Sequence, residues 1–312
     1  MAITDHELAV AAAQAGAEVV RSRYGTALDR FDKGAGDFAT AADIEAEKVI
    51  VELLRTARPD DTVLGEESGR TGSAGNGRTW LVDPLCGTFN YAARSMLVAV
   101  NVALRSNVDD GGTPTGRPED GGMPTGPLED VETSTGPLEE VGTPARSPET
   151  AAAASADPFS GEVFWTDGER AYVRHDGRDE PLRPSADSWL VDVNLDPPFP
   201  NGPAFRAVRL LADPGFVERF RPRVLSTTLA VAWVAAGRRA GYVTDGHLRD
   251  SVHFASGIAL CQAAGCVVTD LRGEPPHTGT GGLVVAADEE THAALLALVA
   301  NQFGTVSPAT MP

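Results

Sequence analysis

Short apolar runs alternate with stretches of helical periodicity on both sides of a long polar interruption, and that alternation restricts the chain to a layered α/β fold. Over residues 5–22, Leu8, Ala12, Ala15 and Val19 recur at helical spacing, with Asp5 suited to cap the helix. A second helix is predicted over residues 41–57 through Ile44, Val49, Ile50, Leu53 and Leu54, with Thr40 as its cap. Strands are predicted at Thr62-Val63-Leu64, Trp80-Leu81-Val82 and Leu97 to Leu104. Beyond the interruption, Val163-Phe164-Trp165 and Ala171-Tyr172-Val173 flank a turn at Asp167-Gly168, and Trp189 to Val193 and Phe205 to Leu210 are further predicted strands. Helices at Leu225–Ala236, His253–Ala264 and His292–Val299 then alternate with strands at Ala240–Thr244, Val267–Thr269 and Leu283–Ala286.

The interruption spans residues 109–156. Four ten-residue units, GGTPTGRPED, GGMPTGPLED, VETSTGPLEE and VGTPARSPET, follow one another without gaps. Their eight acidic and two basic residues contribute −6 to a formal net charge of −18. So little apolar surface cannot offset the entropy of ordering the segment, which reads as a mobile insertion. The expected organisation is an N-terminal part of one catalytic fold at 1–108, the insertion at 109–156, and the remainder of that fold at 157–312.

Composition narrows the function classes. Excess negative charge disfavours nucleic acid as a partner, although bound cations can invert the local field for a small anionic substrate. No apolar run approaches the ~20 residues that cross a bilayer. The opening residues lack a basic segment followed by an apolar run, and Cys86, Cys261 and Cys266 match neither a paired disulfide framework nor a close-spaced zinc motif. A cytoplasmic setting, with no membrane partner, is the expectation.

Chemistry concentrates at two acidic turns that follow short strands: Gly65-Glu66-Glu67, and Asp83-Pro84-Leu85-Cys86-Gly87-Thr88. Carboxylates at strand ends suit ligand binding because the backbone is fixed while the side chains face a crevice. Pro84 restrains its turn and Gly87 permits close backbone approach. If residues 88–94 open a helix, amides around Gly87, Thr88 and Phe89 are candidates to receive an anion.

With GEESG, WLVDPLCGTFNY and HFASGIALCQAAGCVVTDLRG in that order, preceded by Asp32-Lys33 and by Asp37 through Asp43, the chain resembles the inositol-monophosphatase-like family of magnesium-dependent phosphatases. The resemblance covers nearly everything outside 109–156. It implies a layered αβαβα sandwich, a homodimer, a small anionic substrate, and Mg²⁺ with no organic cofactor. Glu66, Asp83 and the Leu85 backbone carbonyl resemble the ligands of the principal metal, and Glu67 and Thr88 the groups that orient or deprotonate the attacking water.

Two positions depart from the family pattern. Cys86 stands at the second Asp of DPxDGT and His253 at the Asp of WDxAxG, where Val252 also replaces the Trp; Gly246 falls where many members carry an acidic residue. Both missing aspartates would serve one second cation, so that metal is expected to be absent or altered. A packed thiol with a locally bonded imidazole, reuse of Cys86 and His253 in non-metal catalysis, and a site for a softer ion such as Zn²⁺ or Fe²⁺ all fit these residues. Cys261 and Cys266 read as packing groups. The expected function is a divergent phosphatase-like enzyme acting on a small phosphorylated metabolite, with His253 as general base in a displacement. The alternatives are a metal-dependent phosphomonoesterase for a sugar, inositol or nucleotide phosphate, and an inactive anion-binding scaffold.

Overall fold

The computed structural model describes residues 3–27, 29–34, 37–72, 76–106, 149–195, 207–246, 248, 251–276 and 281–303. Helices α1 (Asp5–Arg23) and α2 (Ala41–Ala57) flank a hairpin of β1 (Arg30–Gly34) and β2 (Asp37–Thr40). Eight strands follow: β3 (Thr62–Gly65), β4 (Gly69–Thr71), β5 (Arg78–Cys86), β6 (Ala99–Ser106), β7 (Glu149–Ala156), β8 (Val163–Thr166), β9 (Ala171–His175) and β10 (Arg178–Pro181). They form one sheet in the order β10-β9-β8-β7-β6-β5-β3-β4, antiparallel throughout except for the β3–β5 pair. Short helix α3 (Thr88–Ala92) leaves the end of β5. A second sheet contains β11 (Leu190–Val193), β12 (Arg221–Val224), β13 (Gly241–Thr244), β14 (Val267–Thr269) and β15 (Leu283–Ala286), in the order β12-β11-β13-β15-β14. Helices α4 (Pro214–Arg219), α5 (Leu229–Ala235), α6 (Ala255–Ala264) and α7 (Glu289–Phe303) complete the described elements.

Strand alternation sorts these elements into layers. Trp80 and Val82 of β5, with Ala152 and Ala154 of β7, face Leu8, Ala12 and Ile50 of α1 and α2. Leu81, Ala103 and Ala153 point the other way, onto Ala255 and Ala259 of α6. Tyr242 and Val285 of the second sheet close over α5 and α6, while Val191, Val243 and Val284 face Phe216 of α4 and Leu295 of α7. The result is the expected αβαβα sandwich, with a helical layer between the two sheets.

Several local expectations change. Thr4, not Asp5, caps α1, its hydroxyl accepting from the Glu7 amide at 3.4 Å; Asp5 instead pairs with Arg58 and Arg78. Thr40 caps α2 as expected, in a reciprocal box with Asp43. Residues 207–212 form a 3-10 helix rather than a strand, and 205–206 lie outside the described residues. The larger correction concerns the insertion: its last eight residues, Glu149–Ala156, are strand β7 in the middle of the first sheet. Alanine has low strand propensity, which hid the run; here its small side chain lets α1 and α6 approach opposite faces of the sheet. The remainder of the insertion, from 109 to 148, lies outside the described residues.

Strands β6 and β7 pair antiparallel from Val100↔Ala156 to Ser106↔Glu149, so the chain leaves the sheet and re-enters it at directly opposed positions. A short turn can close such a ladder. Replacing residues 107–148 by a four-residue Gly-containing turn is therefore expected to preserve cooperative unfolding and to raise stability by about 2 kcal/mol through the shorter closed loop. A chemical denaturation curve checks this; loss of the cooperative transition would show that the segment is needed for the core.

Candidate active site

Asp83 points from β5 toward the α6 layer, where it is fully buried. In an uninterrupted strand Cys86, three residues on, would face the opposite side. A bulge prevents this: Asp83 opposes Asn101 and Cys86 opposes Ala99, three steps on β5 against two on β6. Pro84, which has no amide to donate, lies within the bulge, and the Leu85 amide donates to Asp83 Oδ1 at 3.2 Å. The extra residue thus aims Asp83 and Cys86 toward one place.

His253 reaches that place from the turn before α6, its Nδ1 lying 2.8 Å from Asp83 Oδ2. The nearest ligand atoms of Asp83, Cys86 and His253 all lie within 4.8 Å of one another. Asn101 Nδ2 donates to Asp83 Oδ2 at 3.2 Å and to Thr228 Oγ1 at 2.7 Å, while its Oδ1 accepts from the hydroxyls of Ser155 and Ser256. The Thr228 amide donates to Cys86 Sγ at 3.4 Å.

Gly87 follows with φ of 100°; a Cβ there would lie 2.9 Å from the Leu97 carbonyl oxygen and 3.1 Å from that of Ser226. That crowding, together with the positive φ, favours glycine. Thr88 then begins α3. Its hydroxyl donates to Asp43 Oδ1 at 3.0 Å, with the Leu85 carbonyl a second acceptor at 3.2 Å. Helix α3 has five residues, so its dipole adds little to anion binding. Phe89 is 42% exposed and meets Phe38 edge-on, with ring centroids 4.9 Å apart.

The Glu66-Glu67 turn is held by Glu47 of α2, whose carboxylate accepts from the Glu67 amide at 2.8 Å and the Ser68 amide at 2.7 Å. A Cβ on Gly65 would lie 2.6 Å from that carboxylate. Lys33 Nζ, from β1, donates to Glu66 Oε1 at 2.9 Å and to Glu67 Oε1 at 2.6 Å.

Glu66, Leu85, Cys86, Gly87, Thr88, Phe89 and His253 line one cavity of about 110 Å³, with Asp83 immediately beneath. Glu67 instead borders, with Lys33, a neighbouring cleft of about 800 Å³ between the β1–β2 hairpin and α2. The carboxylate bonded to Thr88 is that of Asp43, not Glu67. In the sequence Asp43 stands at a helix entry with nothing to join it to Thr88, and Glu47 and Asn101 belong to none of the motifs. Their signal was present: Asp43 and Glu47 lie four residues apart on the buried face of α2, and Asn101 interrupts an apolar strand.

Burial and the nearby Asp83 push the Glu66 carboxyl up to about 8. Burial also raises Asp43, to about 6, and raises Glu67 despite the opposing Lys33. Burial would raise Asp83 too, but the His253 charge and hydrogen bond hold it below the usual carboxylate range. Reciprocally, although burial disfavours its charge, His253 is pushed well above an ordinary imidazole by Asp83. Burial and Asp83 push the Cys86 thiol up.

The sequence profile of the inositol monophosphatase family matches residues 4–111 and 147–302. The chain belongs to that family. Inositol-1-monophosphatase of Caulobacter vibrioides is 27% identical over 279 residues, covering 87% of this chain and 90% of that protein. Nus factor SuhB of Salmonella typhimurium is 30% identical over 284 residues, covering 89% of each. The extragenic suppressor protein suhB of Bartonella henselae shares the fold, with a TM-score of 0.71 at 23% identity over 94% of this chain and 96% of that one. No helix among the described residues is long and apolar enough to cross a membrane.

This family membership implies Mg²⁺, and the residues answer differently at two positions. Glu66, Asp83 and the Leu85 carbonyl are oxygen donors suited to a hard cation. Asp83, Cys86 and His253 offer oxygen, sulfur and nitrogen, a set that does not fit Mg²⁺.

Without metal, Glu66 binds its proton more tightly folded than unfolded, where its ordinary value is 4.5. Its stabilising contribution is fully present below about pH 4.5 and is lost as pH rises through about 8; the raised His253 has the same sign. The melting temperature of chelator-treated protein is expected to fall between about pH 5 and 8, with a shallower slope in Glu66→Gln. A slope unaffected by that substitution would locate the proton elsewhere.

Proposed function

We propose that the chain is a phosphomonoesterase for a small, polyhydroxylated metabolite, acting through attack of water rather than displacement by a substrate group. The observation that carries this reading is the Thr88 hydroxyl, fixed between Asp43 and the Leu85 carbonyl at the edge of the cavity. A water beside Thr88 can pass its proton through that hydroxyl toward Asp43. With its carboxyl raised to about 6, Asp43 is near the working range of a general base while ionised at neutral pH. Glu66, Asp83 and the Leu85 carbonyl would hold one Mg²⁺, which when bound supplies Lewis-acid polarisation of a phosphate oxygen.

Support for the substrate class comes from chemistry and kinship together. Asn194, Ser226 and Thr227 give the cavity uncharged hydrogen-bonding walls suited to hydroxyl groups. Its volume of about 110 Å³ suits a small molecule. The Caulobacter relative carries the name inositol-1-monophosphatase. Displacement with His253 as base is less well served, because Asp83 engages Nδ1 and favours the protonated imidazole.

The test is phosphate release from a panel of inositol, sugar and nucleotide monophosphates with Mg²⁺, with the organic product identified alongside. Free alcohol and inorganic phosphate are expected. Thr88→Ala and Asp43→Asn should each lower kcat by about 10²–10⁴-fold, the usual worth of a positioned acid–base group. A cyclised or eliminated product would establish displacement instead, and binding of the panel without turnover would establish the scaffold reading.

A further inference from the structure

Where a carboxylate trio would be expected around a second Mg²⁺, β5 and the turn before α6 bring together one carboxylate, one thiol and one imidazole. We propose that Asp83, Cys86 and His253 form a site for a borderline-soft divalent cation of the Zn²⁺ or Co²⁺ type, with an open coordination position facing the 110 Å³ cavity. The proposal does not rest on the phosphomonoesterase reading, because its test contains no substrate.

Five observations carry it. The three ligand atoms already lie within 4.8 Å of one another, against edges of about 3.3–3.8 Å for a tetrahedral site with bonds of about 2.0–2.3 Å, so a cation would draw them in by no more than about 1.5 Å. Their convergence is built: without the bulge between Asp83 and Cys86, the thiol would face away from the carboxylate. Three protein ligands beside a cavity are the arrangement in which zinc keeps a fourth position open for water or substrate. Asp83 also has the outer partner that metal-bound carboxylates need, since Asn101 Nδ2 donates to it and is itself fixed by Thr228, Ser155 and Ser256. Cys86 and His253 both border the cavity, so a bound cation would have an entry path.

The 2.8 Å contact between His253 Nδ1 and Asp83 Oδ2 has a natural place here. In the metal-free chain it gives the buried carboxylate a positive partner. A cation bound between the same atoms would take over that compensation. Atoms and charge balance as Zn²⁺ displaces two protons to solvent, one from the Cys86 thiol and one from the His253 imidazolium, leaving a thiolate and a neutral imidazole on the cation.

Full-length protein, stripped by chelator and titrated with Co²⁺, is the direct test. Thiolate-to-cobalt charge-transfer absorption is expected in the wild type and in Cys266→Ser, a control for the other partly exposed thiol, and is expected to be lost in Cys86→Ser. Loss of an outer partner alone lowers metal affinity by about 10–100-fold. Replacing a direct ligand, as in Cys86→Ser or His253→Gln, should therefore weaken Zn²⁺ by about 100-fold or more, measured by calorimetry on variants with cooperative melts. Mg²⁺ affinity, governed by Glu66 and Asp83, should move far less. Absence of the absorption, its survival in Cys86→Ser, or unchanged Zn²⁺ affinity in His253→Gln would overturn the proposal. If Cys86→Ser fails to fold, the His253→Gln titration decides alone.

Discussion

A carboxylate that water cannot reach must be compensated by what surrounds it, and Asp83 imposes that requirement on the middle of the molecule. Its two oxygens are answered from two layers: the Leu85 amide of its own strand and Asn101 of the neighbouring strand in the first sheet, and His253 from the turn that opens the helical layer between the sheets. Asn101 in turn draws on Ser155, Ser256 and Thr228. Strand β7 and helices α5 and α6 are thereby tied to one buried charge by directional bonds as well as by apolar contact. Partial loss of such a network leaves buried polar atoms unpaired, which costs more than any one of its bonds contributes.

Much of the architecture was legible because packing and periodicity agree. Helix α2 was bounded by its Thr40 cap, and the strands at Thr62, Trp80, Val163 and Leu283 by their apolar runs. Strand β7 was not legible, because Ala151 to Ala154 owe their place to the helices on either side and not to any preference of their own. The pattern at residues 205–210 misled because a short apolar run can serve strand or helix equally, and position in the sandwich decided it.

The sequence singles out most of the residues that converge around Asp83, less so their pairings. Acidic turns after strands identified Glu66, Glu67 and Asp83, and Cys86 and His253 drew attention as departures from the family pattern. Sequence spacing alone did not show that a bulge turns Cys86 onto the Asp83 side; Pro84, a residue that sheets admit at edges, strand starts and bulges, was its one trace. Nor did it join Thr88 to Asp43, a bond between chain segments brought together by the packing of α2 against the first sheet.

Lys33 has a consequence of a different kind. Its ammonium belongs to the β1–β2 hairpin, yet its two partners belong to the turn after β3, so an ion pair spans the boundary between the small cavity and the large cleft. Docking of the hairpin and the charge on Glu66 are therefore one linked equilibrium. Whatever cancels that charge, a proton or a divalent cation, weakens the hold on the hairpin by the same free energy with which a docked hairpin resists the cancellation. Rising ionic strength acts in the same direction by screening the partly exposed pair. The width of the cleft beside the site is thus coupled to electrostatics, and the hairpin reports the state of charge of the carboxylates it covers.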